Sequence, residues 1–260
     1  MSSAALLDAP EAETAFAPTF HDLAGTRRVE ALVHPHPVPR PKKHATRPKA
    51  DAFFVPAEGN LTAAYRFAKR TMDIAGALVV LALLSPVMLA TLVVLAITTK
   101  GRPLFYQDRV GYRGRVFRMW KFRTMRFDAD KLQHTVANEV DGPVFKNRRD
   151  PRITRIGRYL RKFSIDETPQ LFSVLAGDMS LVGPRPLRVE EVAQFEPWQR
   201  RRLAVMPGLT CLWQVSGRSN IGFDDWIRMD VWYVENQNLW TDLSLLVRTP
   251  LSVITGKGAY

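Results

Sequence analysis

Residues 74–99, IAGALVVLALLSPVMLATLVVLAITT, form a run of 26 residues without a charged side chain. A straight helix of this length rises about 39 Å, more than the roughly 30 Å of hydrocarbon in a bilayer. A run of 18 or more apolar residues is typical of a segment that enters a membrane. The sequence therefore predicts a membrane-associated protein.

The two flanks of this run favour the same side of the membrane. Lys69 and Arg70 precede the run, and Lys100 and Arg102 follow it. Lys and Arg near the end of a membrane segment favour the cytoplasmic side. A simple crossing would place one of these basic flanks on the unfavourable side.

Ser85 and Pro86 stand near the midpoint of the run. Proline has no N–H to donate to the carbonyl one turn earlier, and its ring presses on that turn, so we expect a break or kink here. The Ser85 hydroxyl can bond back to that carbonyl. Two interpretations fit these residues: a helix–break–helix that enters and leaves by the same leaflet, and a membrane-spanning helix with a proline kink.

Composition and charge exclude several classes of protein. With 46% hydrophobic and 24% charged residues, the 260-residue chain as a whole is neither disordered nor collagen-like. Its net charge of +12 is concentrated in residues 100–162, which carry 18 basic and 6 acidic side chains. The only cysteine, Cys211, excludes an intramolecular disulfide and a cysteine-rich metal site. Four of the five histidines lie in the first 44 residues, so we expect oxygen ligands for any metal in the folded part.

The chain divides into three parts. Residues 1–60 contain no secretory signal, and prolines at positions 35, 37, 39, 41 and 48 predict a disordered, proline-rich arm. Residues 61–100 contain the membrane segment, and residues 101–260 form the remaining domain.

Short apolar runs interrupted by Gly111 and Gly114 predict a β-hairpin soon after the membrane segment. Residues 151–163, PRITRIGRYLRKF, predict a two-faced helix with arginines on one face. Such a helix can lie in an anionic membrane surface or can cover a protein core with its basic face in water. Five of the six tryptophans fall within residues 198–240, where they indicate either a membrane interface or a tryptophan-rich core.

Residues 163–186, FSIDETPQLFSVLAGDMSLVGPRP, contain two adjacent carboxylates, Asp166 and Glu167. An apolar helical pattern follows them and stops at Gly177. If Asp166 caps this helix, Pro169 falls in the first turn, where no N–H donor is required. Helix capping, with no chemical role, is therefore one sufficient explanation for one of the two carboxylates.

The alternative interpretation is chemical. A carboxylate that faces Arg161, Lys162 and Arg185 is held ionised and can attack phosphorus, while a second carboxylate can hold Mg²⁺. Pro184 and Pro186 flank Arg185 and restrict its backbone, which would preorganise the guanidinium for a phosphate. A turn with an incidental arginine is the alternative that the residues leave equally open.

From about Tyr65 to Tyr260 the chain resembles the bacterial sugar transferase family, the monotopic polyprenyl-phosphate phosphoglycosyl transferases, and more closely its small exopolysaccharide-type members. The matching stretches are KRTMDIAGA (69–77), SP (85–86), KFRTM (121–125), DPRITRIGRYLRKFSIDETPQLFSVLAGDMSLVGPRP (150–186), PGLTCLWQVSGR (207–218), MDVWYVENQNLWTDL (229–243) and GKGAY (256–260). Thr168 departs from the pattern, because leucine is more usual at that position.

The resemblance implies a mainly helical α+β fold. It implies a monotopic membrane protein with one re-entrant helix–break–helix at Ser85-Pro86. A cytoplasmic catalytic domain would carry surface amphipathic helices and a small β-hairpin at the cytoplasmic face of the inner membrane. The additional N-terminal spans of the large family members are not expected in this chain.

The resemblance also implies a two-step reaction. Asp166 would be the nucleophile on the sugar-bearing phosphate of a UDP-sugar, and Glu167 would be the Mg²⁺ ligand. Undecaprenyl phosphate would accept the sugar 1-phosphate after UMP is released. The expected phosphate-handling or substrate-binding residues are Lys121, Arg161, Arg185 and Asp230.

Three further points stay open. Glucose or galactose is the expected sugar, with an N-acetylamino sugar as the alternative, and a homodimer is neither required nor excluded. The sequence pI of about 10.2 also suggests nucleic-acid binding, but the uncharged run argues against it. A membrane-anchored scaffold without activity is the third interpretation, and the intact Asp166-Glu167 pair argues against it.

Overall fold

A single long helix, α1 (Ala63–Thr98), contains almost all of the uncharged run in the computed structural model, which describes residues 62–140, 142–216 and 221–255. The Thr62 hydroxyl caps it by accepting a hydrogen bond from the Tyr65 N–H. Its 36 residues correspond to about 54 Å of helix. In the described part of the chain, α1 is the one helix long and apolar enough to cross a membrane. Most of its apolar surface is exposed, which fits membrane association.

The helix continues through Ser85 and Pro86 without interruption, which differs from the predicted helix–break–helix. Pro86 cannot donate to the Ala82 carbonyl, but the Ser85 hydroxyl donates to that oxygen at 2.9 Å. This bond replaces the missing backbone bond, so a proline can be accommodated inside the helix. The re-entrant topology stays a prediction.

Two small sheets follow α1. The predicted hairpin is confirmed: β1 (Leu104–Val110) pairs antiparallel with β2 (Val116–Phe122), with Tyr106 opposite Trp120. On its other edge, β1 pairs with the short β4 (Leu187–Arg188). The second sheet consists of two parallel strands, β3 (Ser180–Val182) and β5 (Gly208–Thr210).

The remaining helices are shorter than α1, and the fold is mainly helical α+β as predicted. They are α2 (Arg155–Lys162), α3 (Gln170–Ala176), α4 (Val189–Val192), α5 (Leu212–Ser216), α6 (Phe223–Asn236) and α7 (Leu239–Thr255). Short 3₁₀ turns occupy Tyr112–Gly114, Gln133–Thr135, Ile165–Glu167 and Gln199–Ala204.

Two main apolar clusters pack these elements together. The first joins α1 to β2, α3, β3, α6 and α7 through buried side chains that include Ala77, Met119, Leu171, Leu181 and Leu245. The second packs α4, α5 and α6 against β1 and β4, with Val110, Leu187, Val192, Trp213 and Trp226 among its members. The residues that connect β3 to β4 therefore lie between the two clusters.

Polar contacts fix the first turns of α1 on β3. Oδ1 of Asp73 accepts from the Leu181 N–H and from the Ser180 hydroxyl, each at 2.9 Å. A Cβ at Gly76 would lie 2.5 Å from a methyl carbon of Leu181, so only glycine permits this close approach without a shift. The N-terminal part of α1 is thus joined closely to the rest of the fold.

The predicted helix at residues 151–163 is present but shorter. It begins at Arg155, because the Thr154 hydroxyl caps it by accepting from the Gly157 N–H. Arg152, which we expected on the basic face, is instead buried and bonded to Asp150 at 2.7 Å, since it precedes the helix. Tyr159, at 70% exposure, points away from the core.

The clustered tryptophans differ in burial, which confirms the core environment for two of them. Trp213 and Trp226 are buried in the second apolar cluster, whereas Trp240 is 77% exposed on α7. The predicted proline-rich arm (1–60) and the closing GKGAY (256–260) lie outside the described residues.

Candidate active site

The two adjacent carboxylates lie in a tight turn between α2 and α3. Ser164 adopts a left-handed conformation with φ of 56°, and Ile165–Glu167 then form one 3₁₀ turn. The helix that follows begins only at Gln170, with Pro169 at its cap position. The prediction that Asp166 caps this helix is therefore wrong, because the extra turn separates Asp166 from the helix N-terminus.

Glu167 is held by two cations. Lys121, on β2, donates to Oε1 at 2.7 Å. The Arg185 guanidinium binds both carboxylate oxygens, with Nη1 on Oε2 at 3.0 Å and Nη2 on Oε1. Burial alone would raise the pKa of Glu167, but these two cations hold that pKa well below its usual range. Glu167 is therefore an ionised carboxylate in a fixed orientation.

Asp166 differs sharply from its neighbour. Its side chain is buried, at 6% exposure, yet among the described residues no hydrogen bond or ion pair engages its carboxylate. Burial, followed by the charge of Glu167, raises the pKa of Asp166, while Lys121, Arg161 and Arg185 oppose that rise. A buried carboxylate with unused lone pairs beside a cluster of cations is placed to accept an electrophile.

Arg161 reaches the same site from the last turn of α2. Its Nε donates to the Thr124 hydroxyl at 3.0 Å, just beyond the end of β2. Burial lowers the pKa of Arg161, and the charge of Asp166 is the main influence that opposes this shift. The structure thus brings together Asp166, Glu167 and the three predicted cations Lys121, Arg161 and Arg185.

The loop that carries Arg185 is fixed by its backbone. The Gly183 N–H donates to the Thr210 carbonyl at 3.0 Å, and the Gly208 N–H donates to the Pro184 carbonyl at 2.9 Å. A Cβ on Gly183 would lie 2.2 Å from the Met206 carbonyl oxygen, so glycine is required at this crossing. The expected preorganisation of Arg185 is therefore supported by contacts as well as by its flanking prolines.

Asp230, on α6, is connected to the site through another arginine. Its Oδ2 accepts from Nε and Nη2 of Arg202, at 3.0 and 2.7 Å, and Arg202 in turn donates to the Arg185 carbonyl at 2.6 Å. Burial raises the pKa of Asp230 to about 6, although Arg202 opposes the shift. In this arrangement Asp230 supports the backbone of Arg185 rather than facing the two carboxylates.

The arrangement of these residues agrees with a comparison of the sequence with known families. Residues 64–256 match the family described as bacterial sugar transferase. The chain belongs to the bacterial sugar transferase family. The match includes the membrane helix, the hairpin and every candidate site residue, and it confirms the resemblance seen in the sequence motifs.

Individual relatives of the family agree with this assignment. The chain is 46% identical over 196 residues to galactosyl transferase CpsE of Streptococcus agalactiae and 42% identical over 202 residues to undecaprenyl-phosphate galactose phosphotransferase of Salmonella typhimurium. These matches cover 74% and 75% of this chain but only 43% and 42% of the two relatives. A third relative, exopolysaccharide production protein ExoY of Rhizobium meliloti, is 35% identical over 225 residues, which cover 84% of this chain and 100% of ExoY.

Two further arginines contact the backbone around Arg185, and the sequence analysis did not identify them. Arg109, on β1, donates to the Pro186 carbonyl at 3.2 Å, and Arg202 donates to the Arg185 carbonyl. Burial lowers the pKa of Arg109 to about 10. No motif distinguishes these two arginines from the other Lys and Arg residues, of which the chain has 37 in total. The Asp230–Arg202 contact joins residues 28 positions apart, which no local pattern indicates.

The donor set also bears on the predicted Mg²⁺. The described residues contain no group of three or more histidine, cysteine, aspartate or glutamate side chains that could enclose a metal. A carboxylate offers about four lone-pair positions, and Glu167 uses three of them for Lys121 and Arg185. One position on Oε2 is left, which fits an ion that takes one or two protein carboxylates and completes its shell with phosphates and water.

Proposed function

We propose that this chain transfers a sugar 1-phosphate from a UDP-sugar to undecaprenyl phosphate and releases UMP. The main supporting observation is the difference between the two adjacent carboxylates Asp166 and Glu167, which we call the dyad. Asp166 is buried without a partner in the described chain, while the adjacent Glu167 is clamped by Lys121 and Arg185. One carboxylate is thereby available for attack, and the other orients the cations around it.

In the first step, an oxygen of Asp166 attacks the sugar-bearing phosphorus of the donor. A phosphorus–oxygen bond forms as the bond to the bridging oxygen breaks, and UMP leaves with that electron pair. The product is an aspartyl-phosphosugar. In the second step, an oxygen of undecaprenyl phosphate attacks the same phosphorus, which frees Asp166 and forms the lipid diphosphate sugar. Division into two displacements lets one nucleophile serve a soluble donor and a lipid acceptor in turn.

The cations around the dyad stabilise the charge that develops during both steps. Lys121, Arg161 and Arg185 come from three separate elements and converge on the two carboxylates. Preorganised cations at a transferring phosphoryl group lower its barrier without reorganisation at the moment of reaction. Mg²⁺ on the free position of Glu167 would neutralise part of the diphosphate charge when bound.

The membrane helix brings this chemistry to the lipid acceptor. We propose that α1 re-enters the membrane from one side, because basic residues flank both ends of its apolar run. The N-terminal turns of α1 hold β3, which leads directly to the Arg185 loop. On this proposal Asp166 and Glu167 lie near the cytoplasmic face of the inner membrane, where a UDP-sugar and a polyprenyl phosphate can both arrive.

Galactose or glucose is the proposed sugar. Two relatives of the chain are named for galactose transfer, which supports galactose. A relative from Aeromonas hydrophila, 40% identical over 201 residues, is named for N-acetylgalactosamine transfer, which keeps the N-acetylamino sugar as the alternative. A UMP-release assay over a panel of UDP-sugars, with undecaprenyl phosphate as acceptor, distinguishes the two.

The covalent intermediate is the direct test of the proposal. The detergent-solubilised protein is incubated with a UDP-sugar labelled at the sugar-bearing phosphate, without acceptor, and then denatured. We expect label on the polypeptide that is removed when undecaprenyl phosphate is added before denaturation. Steady UMP release in the presence of acceptor, with no protein-bound label at any time, would overturn the mechanism.

A further inference from the structure

Lys146 lies in a loop whose described residues are connected through the side chain of Asn138. The Asn138 amide donates to the Val140 carbonyl at 2.9 Å and to the Val144 carbonyl at 3.0 Å. The Lys146 N–H donates to the Asn138 side-chain oxygen at 2.9 Å, and the Lys146 carbonyl accepts from the backbone N–H of Glu139 at 2.9 Å. The backbone of Lys146 is therefore fixed, although it lies outside any helix or strand.

This loop places the Lys146 ammonium over two indole rings. The nitrogen lies 4.8 Å from the ring centre of Trp213 and 5.2 Å from that of Trp226. Indole is the best aromatic partner for a cation, so these contacts hold the ammonium in place. In the described part of the chain, the ammonium has neither a carboxylate partner nor a hydrogen-bond acceptor.

A second unused donor lies beside this ammonium. The indole N–H of Trp213 is buried and has no hydrogen-bond partner among the described residues. A buried donor without an acceptor is unfavourable, because it has lost its hydrogen bond to water. The ammonium and this indole together offer several donors and no negative charge, which is the chemistry that binds an anion.

The position of Lys146 relative to the dyad follows from the parallel strands β3 and β5. Their C-terminal ends share one edge of the sheet, where β3 leads to Arg185 and β5 leads to the helix of Trp213. The other indole, Trp226, lies 6.0 Å from the guanidinium carbon of Arg202, which binds the Arg185 carbonyl. These contacts connect Lys146 to the surroundings of Arg185, whereas the cations that act on Asp166 and Glu167 are Lys121, Arg161 and Arg185.

We propose that Lys146 binds the nucleotide-side phosphate of the UDP-sugar donor and of the UMP product. The inference rests on the proposed function, since it takes the sugar-bearing phosphate to be the one that meets Asp166. The second phosphate of the diphosphate is bridged to the first, so it lies beside Arg185 and away from the nucleophile. Among the described residues, Lys146 is a cation near Arg185 without an ion-pair partner, and burial followed by the Arg185 charge lowers the pKa of Lys146.

Nucleotide binding tests the inference without turnover. UDP and UMP are titrated calorimetrically into the full-length protein in detergent, with Lys146→Gln, Lys146→Arg and the exposed-lysine control Lys131→Gln. Loss of one charge-assisted hydrogen bond corresponds to roughly ten- to hundredfold weaker binding. We expect that loss for Lys146→Gln, a smaller loss for Lys146→Arg because the positive charge is kept, and no change for Lys131→Gln.

The phosphate of the lipid acceptor is the alternative ligand for Lys146. Separate measurements of the KM for the donor and for the acceptor distinguish the two ligands. We expect Lys146→Gln to raise the KM for the UDP-sugar and to leave the KM for undecaprenyl phosphate unchanged. A raised KM for the acceptor together with unchanged UDP binding would overturn the inference. Unchanged UDP binding in a folded Lys146→Gln protein would overturn it as well, even if the wild-type protein turns over normally.

A chemical measurement on the wild-type protein does not depend on the folding of a variant. Lysines are reductively methylated with and without UDP, and the modification is read by mass spectrometry. We expect UDP to protect Lys146 but not Lys131, and equal modification of Lys146 in both samples would contradict the inference. Protection of Lys146 in a protein that releases no UMP from any UDP-sugar would instead refute the proposed function alone.

Discussion

The Lys69 ammonium lies 2.8 Å from Oδ2 of Asp242, which joins the base of α1 to α7 by a buried ion pair. Asp242 also accepts from the Tyr233 hydroxyl at 2.6 Å, and Lys69 donates to the Val182 carbonyl at 3.1 Å. Val182 is the last residue of β3, three positions before Arg185. The charges at the base of the membrane helix are therefore connected to the loop that carries Arg185.

Removal of one member of this pair should be strongly destabilising. Asp242→Leu or Lys69→Met alone leaves a buried charge without its partner, which costs about 3–5 kcal/mol of unfolding free energy. We expect a large fall in the thermal unfolding midpoint in detergent and a loss of UMP release, because the Arg185 loop loses its support. The double variant should recover part of the stability, since neither charge is left unpaired.

The control for this pair is Lys100→Met, which removes an exposed lysine just beyond the end of α1. Its unfolding midpoint should stay near that of the wild type. If the double variant is destabilised by the sum of the two single effects, Lys69 and Asp242 do not interact as described.

Substitution of Asp166 and of Glu167 should reduce UMP release for different reasons. Asp166→Asn removes the nucleophile, so protein-bound label and UMP release should both disappear. Glu167→Gln keeps the nucleophile but leaves Lys121 and Arg185 without their carboxylate partner. We expect its UMP release to fall by about a hundredfold or more, the loss typical when one electrostatic group of a preorganised site is removed.

Both dyad variants are compared with Asp178→Asn, whose carboxylate makes one ion pair with the described residues, a 3.9 Å contact with Arg115. Asp178→Asn should remain active, and circular dichroism should show that all three variants are folded. Normal UMP release by Asp166→Asn would eliminate Asp166 as the nucleophile.

Gly157 is a position at which a single methyl group should disturb the site. A Cβ here would lie 2.1 Å from the Thr124 carbonyl oxygen, and the Thr124 hydroxyl holds Arg161. Gly157→Ala should therefore push α2 away from β2 and destabilise the protein by about 1–3 kcal/mol. Gly222→Ala is the matched control, because among the described residues beyond its chain neighbours no atom lies within 4 Å of its Cβ position. Equal unfolding midpoints for the two variants would contradict the close packing of α2.

Local patterns in the sequence were sufficient for several elements. The uncharged run predicts α1, the short alternating runs around Gly111 predict the hairpin, and Gly177 marks the end of α3 as expected. The flanking prolines of Arg185 predict a restricted loop, and its guanidinium is held on Glu167, whereas its role towards a phosphate stays a prediction. These features depend on neighbouring residues, so a single sequence contains the information.

Contacts between distant residues could not be read in the same way. Arg152 follows the spacing of a helical basic face, but it pairs with Asp150 because the Thr154 cap starts the helix later. The extra 3₁₀ turn at Asp166 depends on the left-handed Ser164, for which the sequence has no strong signal. The Arg202 contact to Asp230 forms only when α6 packs on a turn 28 residues away.

The pH profile of UMP release should have an acid limb determined by the ionisation of Asp166. The nucleophile must be ionised, and the pKa of Asp166 is raised above its ordinary value of 3.8 by burial and by Glu167. UMP release at low donor concentration should therefore fall as the pH drops through this raised pKa. Lys121→Met removes a charge that opposes the rise, so it should move the acid limb to higher pH. An acid limb that stays in place or moves to lower pH would contradict this electrostatic assignment.

The topology of α1 determines on which side of the membrane the two chain ends lie. A re-entrant helix places both ends on the cytoplasmic side, so tags at the N- and C-termini should both be inaccessible from the periplasm. Pro86 and the Ser85 hydroxyl act together on the Ala82 carbonyl, and both favour a bend at this point. Ser85→Ala with Pro86→Leu removes both features, and a straight helix of about 54 Å is long enough to cross the bilayer. We expect the N-terminal tag of this double variant to become accessible in part of the population, whereas opposite accessibility of the two wild-type tags would establish a spanning helix.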